Sequence, residues 1–123
     1  MNIEELRNYC ISKAFAEETM PFGPDTLVYK VMGKAFLLTG LDEIKLSFNV
    51  KCDPELAINL RDEYACVKPG YHMNKKHWNT IEADGSVPDK LMYSWIDHSY
   101  DLVCSGLSKK NQQRLKNRKK PKR

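Results

Sequence analysis

Ile44-Lys45-Leu46-Ser47-Phe48-Asn49-Val50-Lys51 is the stretch that decides the fold. Ile44, Leu46, Phe48 and Val50 alternate without a break with Lys45, Ser47, Asn49 and Lys51. A side-chain period of two belongs to a strand with one face in a core and the other in water. Half-buried strands of that kind are the stuff of antiparallel sheets. Upstream, Asp25 opens a second predicted strand, Thr26 to Met32, in which Leu27, Tyr29 and Val31 alternate with Val28, Lys30 and Met32. Gly33-Lys34 then fits a two-residue turn with glycine first, and Ala35 to Thr39 is the return strand.

Helices flank this meander. Over residues 2–19, Ile3, Leu6, Cys10 and Ala14 recur at steps of three and four, which predicts one amphipathic helix ended by Pro21, Gly23 and Pro24. Downstream, Asp53 is a natural N-cap and Pro54 a first helical residue, for a helix to about Tyr64. Two more strands are expected near 65–72 and 77–83. Pro69 has no N–H to donate, so the first of them belongs at an edge or a bulge. Asp84-Gly85-Ser86 is a turn, and a long helix starts at Ser86 or Pro88-Asp89 and runs to about Ser105. Its apolar stripe is Met92, Ile96, Tyr100 and Val103, widened by Leu91, Trp95 and Leu102, with Gly106 as its stop. The order α-βββ-α-ββ-α predicts an α+β two-layer sandwich, an antiparallel sheet of about five strands with helices on one face.

At 123 residues the chain suits one domain. Its net charge of +4 is unevenly spread: residues 108–123 hold nine Lys or Arg and no acid, which leaves eleven basic against sixteen acidic residues in 1–107. The expected organisation is thus an acidic domain, 1–107, followed by a basic tail, 108–123. The tail is helix-compatible, with Leu107 and Leu115 as its anchors. Four cysteines at 10, 52, 66 and 104 form no CxxC pair, so free thiols are expected. No basic and apolar leader opens the chain, and its longest apolar run, Leu27 to Leu41, is broken by Lys30 and Lys34. A cytoplasmic protein without membrane contact is the expectation.

Lys68 to Ile81, KPGYHMNKKHWNTI, is too polar for core and too aromatic for a plain loop. Tyr71, His72, Asn74, Lys75, Lys76, His77 and Trp78 are the types that hold phosphates and stack on flat groups. The two lysines read equally as a solubilising turn, with Asn74 in a left-handed position. Lys34 projects from the other predicted turn, but Gly33-Lys34 lacks the further glycines of a phosphate loop. Lys109, Lys110 and Arg114 open the tail, which suits either a salt-sensitive nucleic-acid arm or a solvated terminus. His72, His77 and Cys66 share no recognisable ligand spacing, so no metal and no cofactor is expected. No Ser, Cys or carboxylate is placed to complete a nucleophilic or acid–base set, so no catalysis is expected.

The chain resembles the MmcQ/YjbR family of small bacterial proteins over roughly residues 1–107. The resemblance is carried by the Phe22-Gly23 pair ahead of the first predicted strand, by GKAF at Gly33 to Phe36, by PGYHMNKKHWNTI at Pro69 to Ile81 and by SYDLV at Ser99 to Val103. It implies a compact domain with a five-stranded antiparallel sheet, similar to secretion-chaperone-like folds, a double-wing mode of DNA binding and no catalytic activity. The basic tail lies outside it. The expected function is non-catalytic nucleic-acid binding, DNA foremost. The alternative is a protein-interaction module of the chaperone or adaptor kind. A small-ligand role would need a pocket around His72, His77 or Cys66.

Overall fold

Six strands form one antiparallel sheet in the order β1-β2-β3-β4-β6-β5 in the computed structural model, which describes residues 1–119. The elements are α1 (Ile3–Ile11), β1 (Ala16–Thr19), β2 (Thr26–Val31), β3 (Lys34–Gly40), β4 (Ser47–Lys51), α2 (Pro54–Glu63), β5 (Val67–Pro69), β6 (Trp78–Glu82), α3 (Asp89–Ser105) and α4 (Lys109–Lys119). The class is the α+β sandwich expected, with one strand more. That strand comes from the predicted first helix, which stops at Ile11. Phe15 adopts a left-handed φ of 59°, and Ala16–Thr19 then pairs with β2. Ala-Glu-Glu-Thr has the local preferences of a helix. Pairing wins because Glu18 accepts hydrogen bonds from both Arg7 and the Tyr29 hydroxyl, and the exposed acids blunt a sheet edge.

The β2–β3 turn is shifted by one residue from the expectation. Met32 (φ 48°) and Gly33 (φ 85°) are its central pair, and Lys34 is already in the ladder opposite Val31. Two positive φ values give the twist that closes a two-residue hairpin, and only the second residue here is glycine. A bulge follows: Tyr29 faces Leu37 whereas Lys30 faces Ala35, so Phe36 is the extra residue. Both Phe36 and Leu37 thereby reach the core. The alternating stretch holds from Ser47 onward, with Phe48 and Val50 buried. Before Ser47 only Leu46 is held to the neighbouring segment, its carbonyl accepting from the Ala83 N–H (2.9 Å), and Ile44 is fully exposed in the β3–β4 connection. Pro69 ends β5, which is an edge strand as its missing N–H requires.

The helices cover one sheet face. Leu6 and Cys10 of α1, Ala57 and Leu60 of α2, and Met92, Ile96, Tyr100 and Val103 of α3 pack on Leu27, Tyr29, Val31, Leu37, Phe48, Val50 and Ile81. Leu107 and Leu115 join the same core, which docks α4 on the domain. Asp97 accepts from the Tyr9 hydroxyl (2.6 Å) and from Lys13, tying α1 to α3. Ser99 ties α3 to the sheet by donating to Phe36 O (2.6 Å) and accepting from the Lys51 N–H (2.8 Å). All four cysteines are buried and none is in a disulfide among the described residues; desolvation pushes the Cys10 thiol up to about 12 and Cys52 to about 11. Residues 120–123, the end of the basic tail, lie outside the described residues. No helix among the described residues is long and apolar enough to cross a membrane.

Candidate nucleic-acid interface

The polar-aromatic segment is a loop, residues 70–77, between β5 and β6. Gly70 is its pivot: it donates to Trp78 O (2.9 Å), and its carbonyl accepts from the Met73 N–H (3.3 Å) and from Lys75 Nζ (3.0 Å). A Cβ at Gly70 would stand 2.9 Å from Trp78 Cβ and from Trp78 O, so the loop closes this tightly only on glycine. Asn74 builds the turn, accepting from the Lys76 N–H on its side chain (2.9 Å) and from the Trp78 N–H on its carbonyl (3.0 Å). Its side-chain oxygen is thus engaged locally. His72 is held at a left-handed φ of 58°, with its ring 4.0 Å from the ring of Tyr71.

A residue outside the segment anchors it. Arg61 of α2 donates through Nε to Asn79 Oδ1 (2.7 Å) and through its terminal nitrogen to Lys75 O and, at 3.4 Å, to Trp78 O. Asn79 is buried and in turn donates to Ala57 O (3.4 Å). The guanidinium fork thus fastens the loop to helix and sheet together. In the sequence, Arg61 is only one basic residue on a polar helix face, with nothing to set it apart.

The sheet register places the predicted cations. β4 ends at Lys51 opposite Trp78, where β6 begins, and the β2–β3 turn leaves the same end of the sheet. The Lys34 turn and the 70–77 loop therefore project from one end, two strand spacings apart, about 10 Å. Lys34, Tyr71, His72, Asn74, Lys75 and Lys76 are exposed, whereas His77 and Trp78 are half-buried. His77 is held through its carbonyl, which accepts from the Cys52 N–H (2.7 Å). From α4, Arg114 lies over the Phe15 ring at 5.6 Å, beside Met32 and so at this same end; Lys109 and Lys110 are exposed in its first turn. Lys75 and Lys76 share a groove of about 660 Å³ with Asp53, Glu55 and Arg61, and neither lysine forms an ion pair among the described residues.

Tyr71 and His72 do not join those lysines. They face the open side of the sheet, where a groove of about 500 Å³ runs between the 70–73 backbone and Phe22. Val28, Ala35 and Leu38 form its floor, Lys30 lies within it, and Asp42 and Glu43 line its far end. The Tyr71 N–H donates to Thr80 Oγ1 (2.9 Å), which donates to Asn49 Oδ1 (2.5 Å), so the wall is fixed to the sheet. His72 lines this groove; Cys66 is buried elsewhere and His77 is not in the lining. Among the described residues, no three His, Cys, Asp or Glu side chains are grouped as a metal would require.

Comparison with known proteins places this fold. The YjbR family model matches residues 11–102. The chain is 34% identical to the Escherichia coli K12 protein YjbR over 115 residues, 94% of this chain and 98% of that one. It is 34% identical to YbdF of Escherichia coli O157:H7 over 113 residues, 92% and 93% of the two chains. The crystal structure of the Deinococcus radiodurans protein DR2400 superposes with a TM-score of 0.86 at 36% identity, covering 94% of this chain and 88% of that one.

Proposed function

The chain belongs to the YjbR family, and we propose that it is a non-catalytic binder of nucleic acid, DNA foremost. One observation carries the reading: the sheet topology delivers two cation-bearing loops and the start of a basic helix to the same end of a domain that is otherwise acidic. Lys34 and Lys76 are exposed there, and Lys75 beside Lys76 has its ammonium on Gly70 O. Half-buried Lys51 stands on β4 between the two loops. Such a cluster grips phosphates by position and releases counterions. The acids Asp53 and Glu55 beside Lys75 and Lys76 weaken the grip and favour a partner of high charge density.

The test uses the full chain and labelled duplex DNA, with affinity measured from about 50 to about 200 mM salt. Replacing Lys34, Lys75 and Lys76 together by Ala is expected to lower the slope of log affinity against log salt by about one for each phosphate no longer neutralised. A slope equal to that of the unaltered chain would refute the assignment. It would also make the contribution of α4 and the residues after it an independent charge effect. A second reading, a protein-interaction module, is favoured by exposed Leu41 and Ile44 at the opposite end of the sheet, beside Leu46 and Ile3. Its sign would be a dimer or partner complex that Ile44→Asp disrupts without affecting DNA binding.

A further inference from the structure

The open-face groove is a site that the cationic end does not use. Its two walls each present an exposed aromatic ring, Phe22 (72% exposed) and Tyr71 (69% exposed), with an apolar floor of Val28, Ala35 and Leu38 between them. Rings of this size normally hide, and two of them across one groove suit a flat guest that covers both. The groove's volume, about 500 Å³, is in the range of small-ligand sites. Its polar groups are sorted by position. The side chain of half-buried Lys30 forms no hydrogen bond or ion pair among the described residues, and the carboxylate opposite it in the ladder is that of Glu17. Asp42 and Glu43 are acceptors at the far end, Glu43 already accepting from the Ser47 hydroxyl (3.2 Å), and Asn49 is engaged by Thr80 from beside the groove. Tyr71 and His72 belong to the same loop as Lys75 and Lys76, although the two grooves share no lining residue, so a strand reaching from one to the other passes over the 70–77 loop.

We infer that this groove receives one unpaired nucleobase of the nucleic acid held at the cationic end, stacked against Phe22 and Tyr71. The inference rests on the nucleic-acid reading above and adds a strand-type preference to it. Stacking on aromatic rings tolerates any base. The carboxylates of Asp42 and Glu43 accept from exocyclic amines, which favours cytosine and adenine over thymine, whose edge offers no amine. Lys30, within the groove at the end nearer the β2–β3 turn, is placed to meet the phosphate that follows the base. The Tyr71 N–H is pinned to Thr80 Oγ1, and its largely exposed ring stands at the rim of the groove beside the left-handed His72.

The experiment compares the full chain on a labelled duplex and on the same duplex carrying a short single-stranded overhang with 2-aminopurine. The overhang is expected to bind about 5- to 150-fold tighter than the blunt duplex, the span of one stacked base, with quenching of 2-aminopurine. Phe22→Ala is expected to abolish both the tightening and the quenching and to leave blunt-duplex affinity unchanged, while Phe22→Tyr restores them. Phe22 is exposed, so its truncation leaves the core intact. Equal affinity for the two DNAs, or tightening that survives Phe22→Ala, would overturn the base groove and leave the cationic end standing. Binding of neither DNA would overturn both. Binding of the overhang alone would support the groove and remove the duplex reading.

Discussion

Removing the Arg61 guanidinium is expected to free the 70–77 loop before it harms the rest of the fold. In Arg61→Ala, two donations vanish, to Asn79 Oδ1 and to Lys75 O, together with a long one to Trp78 O. A hydrogen bond from a charged donor is worth roughly 1.5–3 kcal/mol when both groups are shielded. Arg61 is only half-buried, so the lower end of that range applies to the solvent-facing bond to Lys75. Asn79 is buried, and its orphaned carbonyl oxygen keeps its desolvation cost unless water enters. The two bonds alone come to about 3–4.5 kcal/mol, which for a domain of this size lowers Tm by about 9–22 °C. Arg61→Lys should recover less than half of the loss, because a single ammonium cannot span Asn79 and Lys75 as the planar fork does. Native-state hydrogen exchange separates local from global effects. The Met73, His77 and Trp78 amides, which bond within the loop, should lose protection by more than the amides of β2 and β3. A Tm within about 2 °C of the unaltered chain, with loop amides equally protected, would refute the anchoring role. So would a double-mutant cycle with Asn79→Ala that shows no coupling.

Three other perturbations follow from the same geometry. Gly70→Ala forces a Cβ against Trp78 Cβ and Trp78 O at 2.9 Å, so the loop must shift; the expected loss is about 1–3 kcal/mol, read as a lowered Tm with shifted Trp78 resonances. Ser99→Ala leaves the Phe36 carbonyl and the Lys51 N–H without their shared buried partner, for about 1–3 kcal/mol in a urea titration at unchanged m. The Glu18 carboxyl is held below its ordinary value first by the hydrogen bond from Arg7, then by that from the Tyr29 hydroxyl. A depressed folded-state pKa stabilises above the unfolded-state value and ceases to do so as pH falls through the folded-state value. The Tm advantage of the unaltered chain over Glu18→Gln should therefore be full at pH 7 and shrink below the ordinary carboxylate range; an advantage that grew on acidification would contradict the assignment.

How much of this was legible in the sequence depends on whether a feature is local. Phe48 and Val50 alternate with Asn49 and Lys51, and the strand stands where that pattern puts it; Ile44 continues the pattern but finds no partner strand. The Asp53-Pro54 helix start, Gly106 and the α3 stripe are local chemistry and came through. β1 did not, because Ala16–Thr19 has helical preferences and becomes a strand only through Arg7 and Tyr29. In the candidate site, composition located the 70–77 loop but not its division. Lys75 and Lys76 lie toward α2, whereas Tyr71 and His72 lie over the open sheet. That split follows from the tight closure at Gly70 and the left-handed His72, neither of which has a signature in the one-letter string. Phe22 and Lys30 come to share a groove with Tyr71 only through strand order, which places residues far apart in the chain on one face.

The four interior sulfhydryls carry a practical consequence. With Cys10 and Cys66 wholly covered and Cys52 and Cys104 nearly so, an alkylating reagent can reach them only when the covering elements part. Cys10 and Cys52 are also poor nucleophiles while folded, since their thiolates are disfavoured. Each position therefore serves as a built-in clock: Cys10 for lifting of α1, Cys52 for the β4–α2 junction, Cys66 for the approach to β5 and Cys104 for the end of α3. The order in which they are trapped would map how the molecule comes apart, without any engineered label.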